Sequence, residues 1–319
     1  MPTTSLRWED VGAGMQLPAF ERTTDFAHWN RYAAVNDEFI PMHMDPEAGR
    51  RAGQRDAFGM GNLRISYLHD QLRDWLGDAG DIVSFSCQFR GYNFKADVLS
   101  AHGVVESTEV RDGAHLAHLK LGVDNQEGFD TTPASATVLC FEADAPRELP
   151  APPPTPIPTD RQASENVPQE VVDLLGEETP EANAYPVGAN DIRRWAQAVY
   201  YPEPAPARFL DEVLAKQGPH GGLVAPREFN PFAWMPGLGM GRYWEILRAR
   251  RSTAINGGQR SDYFAQIRPG DIITNTRRFI DVYEKQGRSG SMVFVVSETR
   301  WTNQDGALVK VGRNTLILI

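Results

Sequence analysis

The residues best suited to acid–base chemistry lie together in one short segment, AVNDEFIPMHMDPEAG (34–49). It holds the carboxylates Asp37 and Glu38 and, a few positions later, the imidazole of His43. Because an unperturbed histidine titrates at a pKa of about 6.5, His43 is suited to take up and release a proton near neutral pH. The residue types alone leave an alternative open, in which His43 is a solvated loop residue and both acids merely follow a helix end.

Helical patterns flank this segment and would position it. The stretch FAHWNRYAAVN (26–36) precedes it, and PEAGRRAG (46–53) follows, with Asp45 as N-cap and Pro46 in the first turn. Asp45 therefore has a structural explanation and receives no catalytic role. A longer helix is predicted over residues 62–77, where apolar side chains recur on one face and Gly77 ends the pattern. These apolar residues are Ile65, Leu68, Leu72, Trp75 and Leu76.

Alternating and β-branched runs predict antiparallel strands after the helices in both halves of the chain. In the first half these runs cover 83–89, 98–108, 115–123 and 136–141. In the second half they cover 272–284, 291–301 and 308–319. The sequence therefore predicts an α+β fold in which a helix lies on a curved antiparallel sheet, twice over.

The two halves resemble each other in the order of their motifs. The helical stretch at 26–36 has a counterpart at 190–200, and the turn DNQEG (124–128) has a counterpart in TNQDG (302–306). Between the halves lies PRELPAPPPTPIP (146–158), whose prolines favour an extended, semi-rigid spacer. We therefore expect a domain over 1–145, a linker over 146–158 and a second domain over 159–319.

Composition excludes several classes of function. The 319 residues carry a formal net charge of -10, so a broad basic surface for nucleic acid is not expected. No apolar run is long enough for a membrane helix, and the first residues lack the pattern of a secretion signal. Cys87 and Cys140 lack metal-site spacing, which favours a cytoplasmic protein with reduced thiols. No metal or redox cofactor is expected.

The segment at 34–49 resembles the signature of the MaoC-like (R)-specific enoyl-CoA hydratases and dehydratases. In that family an acidic loop is followed by proline, an apolar residue, histidine and Asp-Pro. The second half is similar to the related dehydratase N-terminal domain, through GGLVAPREFNPF (221–232), RPGD (268–271) and DVYEKQGRSG (281–290). Together the motifs cover nearly the whole chain. The resemblance implies a double hot-dog fold, in which each of two sheets wraps around a helix.

The resemblance also implies roles for particular residues. The family acid stands five positions before the histidine, which is Glu38 here, with Asp37 as the alternative. Glu38 replaces the usual Asp, and Ile40 replaces the usual Asn. His43 would act as general base and acid with this carboxylate on one water molecule. From the residues themselves, the N–H groups of Gly59, Met60 and Gly61 at the start of the helix are candidates to stabilise the developing enolate oxygen, and the alternative that the two glycines only form a turn stays open.

The second half is expected to be catalytically silent. Its equivalent loop, YYPEPAPARF (200–209), has no histidine, and Tyr201 occupies the position of the acid. The equivalent of the central helix is interrupted by Pro226, Pro231 and Pro236, so a short or broken helix is expected there. The space so left would take a bulky acyl chain or be filled as core. The side chains that would line or fill it are Phe229, Phe232, Trp234 and Met235.

The expected activity is reversible hydration of an enoyl-CoA to a 3-hydroxyacyl-CoA. Coenzyme A enters only as part of the substrate, and Arg90 is the candidate for its phosphates. Two alternatives remain at this point: a hot-dog thioesterase, and a non-catalytic subunit that binds acyl-CoA. Because hot-dog sheets have edges that pair between chains, a homodimer is expected.

Overall fold

A computed structural model describes residues 6–143, 145–179, 182–235, 245–247, 254–287 and 290–319. The chain forms two compact units. The first comprises residues 1–149, 186–234 and 266–271, and the second comprises 150–185, 235–265 and 272–319. These boundaries differ from the expected halves, because parts of the second half fold into the first unit. The assignment of one catalytic and one silent domain stays a prediction.

Short helices and longer strands alternate along the chain. The helices are α1 (Phe26–Asn36), α2 (Pro41–Met44), α3 (Pro46–Arg51), α4 (Gly61–Leu76), α5 (Gln169–Asp173), α6 (Ala189–Tyr200) and α7 (Glu212–Gln217). The strands are β1 (Phe20–Thr23), β2 (Gly80–Cys87), β3 (Val98–Arg111), β4 (Ala114–Asp124), β5 (Ala134–Cys140), β6 (Ala182–Asn183), β7 (Ala254–Tyr263), β8 (Thr274–Gly287), β9 (Gly290–Thr302) and β10 (Leu308–Leu318). Among the described helices, none is long and apolar enough to cross a membrane.

In the first unit, antiparallel strands in the order β1-β3-β4-β5-β2 form a sheet against which α4 packs. Strand β4 places Leu116, Leu119 and Leu121 in the core, each no more than 1% exposed. The apolar runs predicted from the sequence thus become the strands that cover the helix.

Helix α4 is buried on nearly all sides, and this goes beyond the single apolar face that its pattern predicts. Twelve of its sixteen residues are buried. Gly77 ends the helix with a φ of 55°, as expected for a glycine at this position. Several of the buried side chains are polar, so the helix carries chemical groups into the interior as well as apolar bulk.

Helix α6 belongs to the first unit because its apolar face packs there. Trp195 is 1% exposed, and its ring centroid lies 5.8 Å from that of Tyr32 and 5.4 Å from that of Phe229. Burial of such large aromatic side chains strongly favours association of the elements that carry them. The two similar helical stretches of the sequence, α1 and α6, therefore pack against each other within one unit.

In the second unit, antiparallel strands in the order β7-β10-β9-β8-β6 form a sheet. One face carries an apolar cluster with α5. Its buried members are Val167, Val171, Leu247, Phe279, Val282, Val293, Val295 and Leu318. No helix forms over residues 226–235, which belong largely to the first unit, and this confirms the predicted interruption. Pro236 lies outside the described residues.

The proline-rich segment 146–158 contains no helix or strand, in keeping with its composition. Thr155 nevertheless fixes it to the second sheet. Its carbonyl accepts a hydrogen bond from Arg278 at 2.8 Å, and its hydroxyl accepts one from Arg313 at 3.0 Å. This end of the segment is therefore part of the second unit.

Candidate active site

His43 lies on α2, a single helical turn whose course is set by the residues around it. Pro41 occupies the first helical turn, where a backbone N–H would have no partner within the helix, so proline costs no hydrogen bond there. Asp45 caps the following helix by accepting hydrogen bonds from the N–H groups of Glu47 and Ala48. The loop so placed turns the His43 side chain inward, and the residue is 7% exposed.

The hydrogen bonding of His43 determines which ring nitrogen is available. Its Nδ1 lies 2.7 Å from the carbonyl oxygen of Phe58, and because a carbonyl only accepts, Nδ1 is the donor. Nε2 of the neutral ring then has a lone pair, and it makes no hydrogen bond with any described residue. Burial lowers the pKa of His43 and outweighs the opposing effect of the carbonyl. Near neutral pH the ring is therefore an uncharged base at Nε2.

Glu38 is held by two asparagine amides. Asn36 donates to its Oε2 at 2.8 Å, and Asn62 donates to both carboxylate oxygens, at 3.3 and 3.4 Å. Asn36 is fixed in turn by Asn230, whose amide donates to its Oδ1 at 2.9 Å. Burial raises the pKa of Glu38, and the two amide hydrogen bonds act in the opposite direction because they favour the carboxylate. Glu38 is thus a partly buried acid attached to the first turn of α4.

Asp37, the alternative acid, serves the end of α1 instead. It is the C-cap residue, with a φ of 53°, and its N–H donates to the carbonyl of Ala33. Aspartate tolerates this left-handed conformation better than most residues. Its side chain is exposed and makes no hydrogen bond with a described residue. Of the two candidate acids, the structure attaches Glu38 to the site and leaves Asp37 in solvent.

The start of α4 supplies fewer free donors than the sequence predicts. The N–H of Gly59 donates to the carbonyl of Asn93 at 2.8 Å, so the expectation for Gly59 is corrected: its donor is already used. The N–H groups of Met60 and Gly61 bond to no described residue. Because they lie at the positive end of a sixteen-residue helix, these two groups are suited to an anionic oxygen.

The two glycines of this segment, Gly59 and Gly61, lie where there is no room for a Cβ atom. A Cβ atom at Gly59 would lie 2.3 Å from the amide nitrogen of Asn93, and one at Gly61 would lie 2.8 Å from the ring of Phe89. Residues 88–93 therefore pack directly against the entry to α4. The sequence identifies both glycines as candidates, but it does not predict that residues 88–93 pack against them.

His43 and Glu38 meet at residues 58–62. The imidazole bonds to the carbonyl of Phe58, and the carboxylate bonds to the amide of Asn62. No ion pair joins the two side chains, and neither affects the pKa of the other. The structure thus brings the predicted base, acid and helix N-terminus to one segment without direct contact between base and acid.

Arg90 is not part of this cluster. Its side chain is exposed, and its guanidinium donates to Gln88 at 3.0 and 3.3 Å. The residues that sequence reasoning missed are the amides of Asn36, Asn62 and Asn230. Asn230 lies 194 positions from its partner in the chain, so local pattern gives no signal for it.

The corresponding loop of the second half lacks a comparable pair. Tyr201 lies 5.6 Å from the ring of His28 and 4.3 Å from the guanidinium of Arg31. Burial lowers the pKa of His28 to about 4, and its Nδ1 lies 3.2 Å from the hydroxyl of Tyr67. This imidazole is 1% exposed, so it is enclosed and unsuited to exchange protons with a ligand.

Exposed apolar side chains lie beside Glu38. Phe39, Ile40 and Trp234 are 48%, 42% and 60% exposed. The rings of Phe39 and Trp234 are 5.8 Å apart, and the indole N–H donates to the carbonyl of Ala34 at 2.9 Å. Phe229, by contrast, is 4% exposed and packs as core. Phe232 and Met235 are partly buried.

Comparisons with known proteins agree on the architecture. A sequence-family model described as the FAS1-like dehydratase domain region matches residues 173–311. No curated protein matches the sequence. A MaoC domain protein dehydratase from Chloroflexus aurantiacus J-10-fl superimposes with a TM-score of 0.66 at 11% identity, over 98% of this chain and 96% of that chain. A MaoC-like dehydratase superimposes with a TM-score of 0.62 at 15% identity, over 98% and 99%.

A third similar structure is a conserved hypothetical protein from Mycobacterium tuberculosis, described as having a double hotdog fold. It superimposes with a TM-score of 0.62 at 12% identity, over 98% of each chain. At such identities the likeness establishes the fold. The expected double hot-dog fold is therefore confirmed.

Proposed function

We propose that this MaoC-like double hot-dog protein catalyses the reversible hydration of an enoyl thioester to a 3-hydroxyacyl thioester. The observation that carries the proposal is the hydrogen bonding of His43, which leaves one ring nitrogen, Nε2, available as a base. Its Nδ1 donates to the Phe58 carbonyl, its Nε2 makes no hydrogen bond with a described residue, and the Glu38 carboxylate, held by asparagine amides, is attached to the same segment. General acid–base catalysis through one water molecule needs such a pair.

In the hydration direction, Nε2 of His43 takes a proton from water while the water oxygen bonds to the β-carbon of the alkene. Electrons of the double bond move to the thioester oxygen, which becomes an enolate. The N–H groups of Met60 and Gly61 stabilise that oxygen, because helix N-terminal donors favour developing negative charge. The imidazolium then returns its proton to the α-carbon. Dehydration follows the same steps in reverse.

Glu38 orients the water and balances the charge of the imidazolium. Its amide partners favour the ionised form and fix its direction, so the carboxylate is ready to accept a hydrogen bond from water. Both groups work when deprotonated. Activity is therefore expected above the pKa values of His43 and Glu38 and is lost as the pH falls through them.

The acyl portion of the substrate is proposed to lie against Phe39, Ile40 and Trp234. Exposed apolar side chains beside catalytic groups gain from covering by an apolar ligand, at about 25 cal/mol per Å² removed from water. A bulky acyl chain would cover more of this surface than a short one. Coenzyme A is proposed as the thiol portion, and no residue is assigned to its phosphates.

The test is turnover on enoyl-CoA esters of graded acyl size, followed by two signals at once. Hydration bleaches the absorbance of the conjugated thioester without releasing thiol, and this result supports the proposal. Release of free thiol would instead support a hot-dog thioesterase. Binding of the esters with neither signal would support a non-catalytic acyl-CoA-binding subunit. Analysis of the configuration of the alcohol then completes the description of the reaction.

A further inference from the structure

The buried arginine of α4, Arg64, lies in an unusual environment. It is 3% exposed and makes no ion pair with any described residue. Its NH1 donates to two backbone carbonyls, those of Gly91 at 2.8 Å and Thr131 at 3.3 Å, while Nε is buried without a partner among the described residues. Burial lowers the pKa of this guanidinium to about 10, so it remains charged at neutral pH. Enclosing a charge without a counter-ion is costly, which calls for a reason.

Of the two carbonyls that accept hydrogen bonds from Arg64, that of Gly91 belongs to residues 88–93, the segment that packs against the entry to α4. Two residues after Gly91, the carbonyl of Asn93 accepts the N–H of Gly59. The ring of Tyr92 lies 4.7 Å from that of Phe58, and the Phe58 carbonyl in turn sets the tautomer of His43. These contacts link the Arg64 guanidinium to the Phe58 carbonyl, which bonds to His43, and to the Gly59 turn before α4.

Arg64 also shares a neighbour with the free helix donors. The ring of Phe89 lies 5.5 Å from its guanidinium carbon and leaves no space for a Cβ atom at Gly61. Arg64 follows Gly61 by three positions, so both lie on one side of α4. Arg64 therefore contacts residues 88–93 at Phe89, the same side chain that packs against Gly61 and limits the position of its N–H.

From these contacts we infer that Arg64 is a positioning residue: it clamps residues 88–93 and thereby fixes the Phe58 carbonyl, the Gly59 turn and the donors of Met60 and Gly61. The inference rests on the proposed function for its effect on rate, whereas its effect on the position of Gly59 is independent of any activity. A displacement of a catalytic group by about 1 Å is enough to reduce the rate of reaction about 100-fold.

The test compares Arg64→Met and Arg64→Lys with wild type, with Arg111→Met as the control. Arg111 is an exposed arginine at the end of β3, and its guanidinium lies 3.6 Å from the carboxylate of Glu109. Arg64→Met should lower kcat for enoyl-CoA hydration by about 10- to 100-fold and change KM by less than about threefold. Arg64→Lys should recover part of the loss in kcat, because an ammonium still donates to one carbonyl. Arg111→Met should remain within about twofold.

Amide hydrogen exchange supplies a second readout that needs no substrate. In Arg64→Met the Gly59 amide should exchange at least about tenfold faster than in wild type, while the amides of α6 keep their rates. Unchanged kcat together with unchanged Gly59 exchange would overturn the inference. So would a uniform rise in exchange through α4 and α6 with kcat lost in proportion to unfolded protein, since Arg64 would then serve general stability. If wild type hydrates no enoyl thioester, the proposed function fails, and the Gly59 exchange alone decides the role of Arg64.

Discussion

Replacement of Asn36 by leucine should change the pH dependence of the enzyme. Asn36 donates a 2.8 Å hydrogen bond to Glu38, and this bond favours the ionised carboxylate. A hydrogen bond to a charged group contributes about 1.5–3 kcal/mol, and about 1.4 kcal/mol corresponds to a tenfold change in ionisation. Loss of the bond should therefore raise the pKa of Glu38 further and move the acidic limb of kcat/KM upward by about 1 to 2 pH units.

The assay is the decrease in enoyl-thioester absorbance across a pH series, for wild type, Asn36→Leu and Asn230→Leu. Asn230 touches Asn36 and not the carboxylate, so its replacement should move the limb in the same direction by a smaller amount. At high pH the Asn36→Leu rate should approach that of wild type, because Glu38 is ionised there in both proteins. A uniform loss of rate at every pH, with the limb in its original position, would refute the reasoning.

Three further predictions concern the acids, the glycine turn and the apolar patch. Glu38→Gln should lower kcat/KM by about 100-fold or more, while Asp37→Asn remains within about threefold; equal losses would show that the loop is only structural. Gly59→Ala places a methyl group 2.3 Å from a buried amide and should lower the free energy of unfolding by about 1–3 kcal/mol in a denaturant titration, whereas Gly12→Ala, with open space around it, should change it by less than about 0.5 kcal/mol. Trp234→Ala should raise KM for long acyl chains more than for short ones, and an unchanged preference would count against the acyl site.

Much of the fold follows from local pattern. The runs at 98–108, 115–123 and 308–319 became β3, β4 and β10, because alternating apolar residues suit a sheet with one face on the core. Strand β7 was not predicted. Its sequence, AINGGQRSDY, has two interior glycines and a bulge where it pairs with β10, so neither alternation nor β-propensity marks it.

The candidate site was predictable only in part. The resemblance of the loop at 34–49 points to His43 and Glu38, and helix periodicity points to the N-terminus of α4. The asparagine network around Glu38 was not predictable. Asn230, which bonds to Asn36, reaches it through tertiary packing and not through a local pattern. Periodicity also identifies the apolar face of α4 but gives no sign that Arg64 is buried as well. The committed N–H of Gly59 likewise depends on a segment distant in sequence.

The most direct test of the central claim is the rate of enoyl-CoA hydration by His43→Ala relative to wild type, on the acyl chain that wild type accepts best. Removal of the Nε2 base should abolish measurable turnover, a loss of about 1,000-fold or more, while the unfolding temperature changes little. Hydration at a wild-type rate by a folded His43→Ala protein would contradict the account.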